Sequence, residues 1–163
     1  MPDIKYLIIG VDPGPTTGIV AMWADRGVLI DPLRVIQCDA LSTLFIVHAL
    51  AVRALRGEDC RVLLAVEPFV VNGRAGRSAT PQAGAVTRSL ITELDNLACM
   101  AGVVMHCHTA ARVKNWATNT RLAAAGLLTA TEGMGHARDA ARHALHAATR
   151  YCGAPDPLSR RTG

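Results

Sequence analysis

Hydrophobic and polar positions follow two rhythms along this chain, and the switches between them divide it into elements. Residues 6–11 form an unbroken apolar run that includes the β-branched Ile8, Ile9 and Val11, the pattern of a central strand buried on both faces. Pro13, Gly14, Pro15 and Gly18 end it, and residues 19–23 read as a second strand doubling back. Residues 27–30 and 33–36 predict a third strand, or an irregular pair interrupted by Pro32, which completes an antiparallel meander. The rhythm then becomes helical over residues 39–57, with Asp39 as an acidic cap, arginines late and Gly57 as a stop. Residues 61–67 are a second buried strand that ends, like the first, on a carboxylate, Glu67, followed by proline. A helix of crossover length joins the two buried strands. They should therefore run parallel and, if they are neighbours, release Asp12 and Glu67 at the same edge.

The longest helical pattern covers residues 81–100, where Val86, Leu90, Leu94 and Leu97 make one apolar stripe. Gly102 ends it, and residues 103–106 predict another short parallel strand. Residues 111–121 read as a short basic helix or loop, 122–128 as helix and 131–135 as a break. An alanine-rich helix follows from Gly135 to Arg150, its small side chains allowing it to lie close to the sheet. Residues 153–163 have no periodicity. The expected organisation is one α/β domain over residues 1–153 and a flexible tail over 154–163.

Composition narrows the classes. A chain of 163 residues can bury a core without disulfides or structural metal. Its apolar runs fall short of the roughly eighteen residues that span a bilayer, so a membrane protein is not expected. The first residues lack the basic and apolar regions of a signal peptide, which predicts a cytoplasmic location. Five scattered cysteines with no Cys-x-x-Cys pair signal neither a disulfide framework nor a zinc site, and they read as small core residues. His106-Cys107-His108 has the look of a metal triplet, but strand alternation sends neighbours to opposite faces. The formal charge of +4, from 17 Lys and Arg against 13 Asp and Glu, favours a polyanionic partner.

Candidate chemistry gathers on the acids. Asp12, in Asp-Pro-Gly, reads either as a metal ligand or as a turn-capping residue, and Glu67 either as a ligand or as a strand stop. His136 and Asp139 stand three apart at the start of a helix, sharing a face near its positive end, with His143 four residues further on. The ordinary alternative is a dipole-complementing Asp139 among surface histidines. Residues 72–82 form a Gly-rich loop bearing Arg74 and Arg77 without acids, suited to a phosphodiester backbone or simply to solvent. Lys114, Asn115 and Trp116 offer charge and stacking to a nucleic acid, or a lysine lying along a buried tryptophan.

In combination, the motif from Ile9 to Gly18 (IGVDPGPTTG), Val66-Glu67, Lys114 and His136-x-x-Asp139-Ala140 resembles RuvC-type Holliday-junction resolvases of the ribonuclease H-like superfamily. The resemblance covers nearly the whole chain in order. It implies a five-stranded mixed sheet flanked by helices, and a metal-dependent endodeoxyribonuclease that cuts four-way junctions by phosphodiester hydrolysis as a homodimer. It further implies that Asp12, Glu67, His136 and Asp139 hold Mg²⁺, with Mn²⁺ as substitute, and that Lys114 neutralises charge on the phosphate. The fourth ligand position departs from the family's usual carboxylate: His136 stands there, and the alternative register offers Arg142, which cannot bind a cation. Phe69 resembles the family's aromatic near the crossover, with different spacing and Pro68 intruding; core packing is its other reading. The loop from Asn72 to Ala83 also differs. Arg74, Arg77, Lys114 and Asn115 complete the implied DNA contacts. Two rival readings stand: a non-catalytic or RNA-processing member of the same superfamily, and an actin-like phosphate loop at Asp12-x-Gly14-x-x-x-Gly18, which needs about twice this length for its two-domain cleft.

Overall fold

Alternation along the first strand decides the architecture. In the computed structural model, which describes residues 4–25, 28–30, 34–56, 60–70 and 80–159, β1 (Lys5–Asp12) sends Leu7, Ile9 and Val11 to one core and Ile8 to another. Both faces of the sheet are thus covered, which is why its central strands read as continuous apolar runs. β2 (Thr16–Asp25) pairs antiparallel with β1, whereas β5 (Cys60–Val66) and β6 (Val104–Cys107) add parallel on the other side. β3 (Val28–Leu29) and β4 (Arg34–Asp39) both pair with the same edge of β2. Six strands therefore occupy five positions, the order being β3/β4-β2-β1-β5-β6.

One core lies beneath α1 (Ala40–Leu55) and α2 (Pro81–Ala101), where Val47, Ala51, Leu90 and Leu94 meet Leu7, Ile9, Val11 and Leu64. Asp39 caps α1 by accepting from the Ser42 N–H, Pro81 opens α2 behind the Thr80 cap, and Gly102 closes it at φ 65°. The other core lies beneath α6 (Gly135–Tyr151), with Leu122 and Leu127 from the short helices α4 (Asn119–Ala124) and α5 (Leu127–Ala130). α3 (Ala110–Trp116) carries Lys114 and packs against α6. No helix among the described residues is long and apolar enough to cross a membrane.

Three expectations change. Residues 122–128 are not one helix, because Gly126 at φ 72° breaks the segment into α4 and α5. The tail expected to be loose is tied down over its first part: Asp156 takes a forked pair of hydrogen bonds from Arg121 at 3.0 and 2.9 Å, and Ala154 is buried. Of the five cysteines Cys152 is buried in one core and the half-buried Cys38 and Cys60 pack against the other, while Cys99 and Cys107 are exposed and all five are unpaired.

Candidate functional site

The carboxyl edge of the parallel strands collects the acids. Val11 and Val66 are register partners, and the Glu67 N–H continues the ladder by donating to the Val11 carbonyl at 3.1 Å, so Asp12 and Glu67 leave adjacent strands side by side. Asp12 does not cap its turn. The buried Thr17 does that work, its hydroxyl donating to the Gly14 carbonyl at 2.9 Å while accepting from the Gly14 N–H. The Asp12 carboxylate is left to face α6.

α6 brings the remaining groups because it can lie against the sheet at two glycines. A Cβ at Gly10 would collide with the Ala140 carbonyl and come within 2.9 Å of the Ala144 Cβ, and one at Gly18 would collide with the His136 backbone. Gln37 of β4 fixes the helix start: its side-chain oxygen accepts from the N–H of His136 at 2.9 Å and of Ala137 at 3.3 Å. Neither device stood out in the residue pattern. Gly18 looked like a strand breaker and Gly10 like one more position of a buried strand, and Gln37 lies 99 positions from the helix it caps.

The expected residues meet as follows. His136 Nδ1 lies 2.8 Å from Asp12 Oδ2, and the buried His143 places Nε2 3.3 Å from Glu67 Oε2. Asp139 accepts from Lys114 Nζ at 2.8 Å and from Arg142 Nη1 at 3.1 Å. Arg142 also donates to the Ala117 carbonyl and to Asn119, which locks α3 and α4 to the site. His143 and Arg142 therefore join the set, and burial rules out a purely surface role for His143 and His146, while His136 is exposed. Lys114 reaches Asp139 instead of lying along Trp116, whose face is covered by Arg121 at 4.9 Å. Asn115 is exposed. Phe69 packs over Gly84 and beneath the Arg88 guanidinium, 5.1 Å from its ring centroid. Arg74 and Arg77 lie outside the described residues.

Electrostatics mark Asp12 as the most stressed acid. Burial, with the neighbouring charges of Glu67 and Asp139, pushes its pKa up to about 6 against the lowering pull of His136. A desolvated carboxylate facing two more is a setting that a hard divalent cation relieves, and the oxygen donors suit Mg²⁺ or Mn²⁺. Among the described residues, however, no three His, Cys, Asp or Glu side chains already enclose a point for a metal ion. Each acid is met instead by a basic side chain.

No protein-family model matches the chain, and no curated protein matches it by sequence. Solved structures do match. Thermus thermophilus RuvC in complex with a Holliday junction substrate superposes with a TM-score of 0.59 at 22% identity, over 94% of this chain and 99% of that one. A second T. thermophilus RuvC structure gives 0.56 at 22% identity, over 93% and 99%. With a mixed sheet flanked by helices and nearly the full length covered in these alignments, the chain has the ribonuclease H-like fold of RuvC.

Proposed function

We propose that this protein is a metal-dependent, structure-selective endodeoxyribonuclease that resolves four-way DNA junctions. The observation that carries the reading is the convergence of Asp12, Glu67 and Asp139 at one strand edge among Lys114, Arg142 and two histidines, in the fold of a protein solved on a Holliday junction. Asp12, Glu67, Asp139 and His136 would hold the cations, which when bound supply charge neutralisation and water activation at a phosphate. The chain's own part is to exchange partners. Lys114 and Arg142 would release Asp139 and turn to the phosphate oxygens, His136 would release Asp12, and His143 would keep Glu67 oriented from its buried position. Phe69 with Arg88, Asn115 and the loop of Arg74 and Arg77 are the proposed contacts to the branched strands. Labelled four-way junction, flap and duplex DNA incubated with Mg²⁺ test this directly: paired nicks on the junction are expected, and no cleavage of any substrate rejects it. Binding without cleavage is the outcome expected of a non-catalytic member of the superfamily, a reading favoured by the basic partner already on each acid.

His136 offers a separate measurement. Nitrogen suits Mn²⁺ better than Mg²⁺, so His136→Asp should keep activity and improve relative use of Mg²⁺, and His136→Ala should need severalfold more metal for half-maximal rate. An unchanged half-saturation in His136→Ala removes His136 from the ligand set.

Resolution of a four-way junction calls for two symmetric cuts and hence a two-fold dimer. The helical layer opposite α6 supports one: Leu41 and Phe45 on α1 are 80% and 75% exposed, and Met100 at the end of α2 is 89% exposed. Between the two helices runs a 620 Å³ groove lined by Leu44, His48, Val52, Leu97 and Met100 among others. Phe45→Glu combined with Met100→Glu is expected to give a monomer in light scattering that nicks without paired cuts. A variant that remains dimeric places the interface elsewhere.

A further inference from the structure

A second cavity, of about 250 Å³, lies between α3 and the C-terminal half of α6, lined by Arg112, Trp116, His146, Thr149 and Arg150. Its chemistry is one-sided. Arg112 and Arg150 are exposed and make no ion pair or hydrogen bond among the described residues, and no carboxylate lines the space. His146 is only 8% exposed, yet neither of its ring nitrogens has a hydrogen-bond partner among the described residues. Its Nδ1 and the Thr149 hydroxyl are both buried and unsatisfied. Buried polar atoms without partners are rare in folded proteins and ask for an explanation. Two unpaired guanidiniums around them point to an anion, and their forked donors match phosphate best.

Size and place refine the ligand. The cavity is smaller than the roughly 300–1,000 Å³ of pockets that enclose whole small molecules, so it suits one phosphate group presented by something larger. Trp116 forms a fixed wall, edge-on to His146 at 5.6 Å and held by Arg121. His146 follows Asp139 by two turns of α6, roughly 10 Å along the helix axis. That offset is short enough for one strand to reach both the acid cluster and the cavity.

We propose that this cavity is a phosphate subsite that grips an internal phosphodiester of the bound strand, close along the strand to the one at the acid cluster. The inference rests on the nuclease reading. Arg112 and Arg150 fork the non-bridging oxygens, Thr149 and His146 rotate their unsatisfied groups toward the anion as it enters, and Trp116 stands beside the adjoining sugar.

The test is the salt dependence of four-way-junction binding without divalent cation, for the wild type and for Arg112→Ala/Arg150→Ala. Both arginines are exposed, so unchanged thermal melting is expected to certify the fold. One lost phosphate contact should flatten the plot of log affinity against log salt by about 0.9 and weaken low-salt binding severalfold. A wild-type slope in the variant overturns the subsite and leaves the nuclease reading standing. If the wild type binds no DNA, the nuclease reading falls and the subsite with it. Short single strands with and without a 5′-terminal phosphate identify the source. Equal dependence on the arginine pair supports an internal phosphodiester, and dependence only with the terminal phosphate overturns it.

Discussion

Asp12→Asn is expected to abolish cleavage and, at the same time, to stabilise the protein at neutral pH. The loss of activity should be at least roughly 10²–10³-fold, the scale of removing one centrally placed electrostatic group from an active site. The gain in stability follows from the raised pKa. Burial and two neighbouring acids lift Asp12 from 3.8 to about 6 in the folded chain, so its ionised form is disfavoured there relative to the unfolded chain. The group is therefore harmless below pH 3.8, becomes a liability as pH rises through 6, and stays one at pH 7. Asparagine cannot ionise. The variant should melt higher at pH 7, by on the order of 1–2 kcal/mol once the lost His136 contact is discounted, and the advantage should vanish near pH 4. Melting curves at the two pH values, beside a cleavage assay, check both halves. An Asp12→Asn protein that melts lower at pH 7 would show that the acid serves structure, and near wild-type nicking would remove it from the site.

Gly18→Ala should be among the most damaging single substitutions in the chain, although it adds one methyl group. The new Cβ would collide with the His136 backbone, which has no flexible end to swing away. α6 must then lift from β2, opening the core around Val20, Ala137 and Ala140. Overpacking of this kind costs about 1–3 kcal/mol and more where backbone is struck, so the loss belongs at the upper end. Gly135→Ala is the matched control: a Cβ there meets nothing within 4 Å. Denaturant midpoints should separate the two variants clearly, with Gly18→Ala also losing activity because His136 moves with the helix. Equal midpoints would mean that the seam between α6 and the sheet is looser than it looks.

Most of the layout was legible because strand and helix rhythms are strong here and the breakers are unambiguous. The apolar runs at Ile8 and Leu63, the Asp39 and Gly102 helix ends and the alanine-rich helix at Gly135 all fall where pattern places them. So does the parallel run of β1 and β5, expected from a helical crossover, and their adjacency meets the condition for Asp12 and Glu67 to share an edge. The parts that escaped are contacts between distant residues with no local signature. Gln37 in a strand gives no hint that it caps a helix nearly a hundred residues later. Gly10 and Gly18 signal permissive backbone, whereas their use is absence of bulk. Arg142, weighed only as an implausible metal ligand, binds Asp139 and two neighbouring elements. Asp156 looked like part of a proline-rich tail until Arg121 took it.

Placement of α6 at the end of the described fold also sets a clock on synthesis. The chain emerges from its N-terminus at about 5–20 residues per second, so Asp12 and Glu67 are made several seconds before His136 and Asp139. During that interval the sheet has its acids but neither the helix that completes them nor the cover for Ile8, Val20, Met22 and Leu63. A growing chain thus carries no finished set of charged groups at this edge. It does carry a bare apolar sheet face that must be sheltered until the alanine helix arrives. Docking of α6 both completes the charged cluster and buries that face, which couples the two.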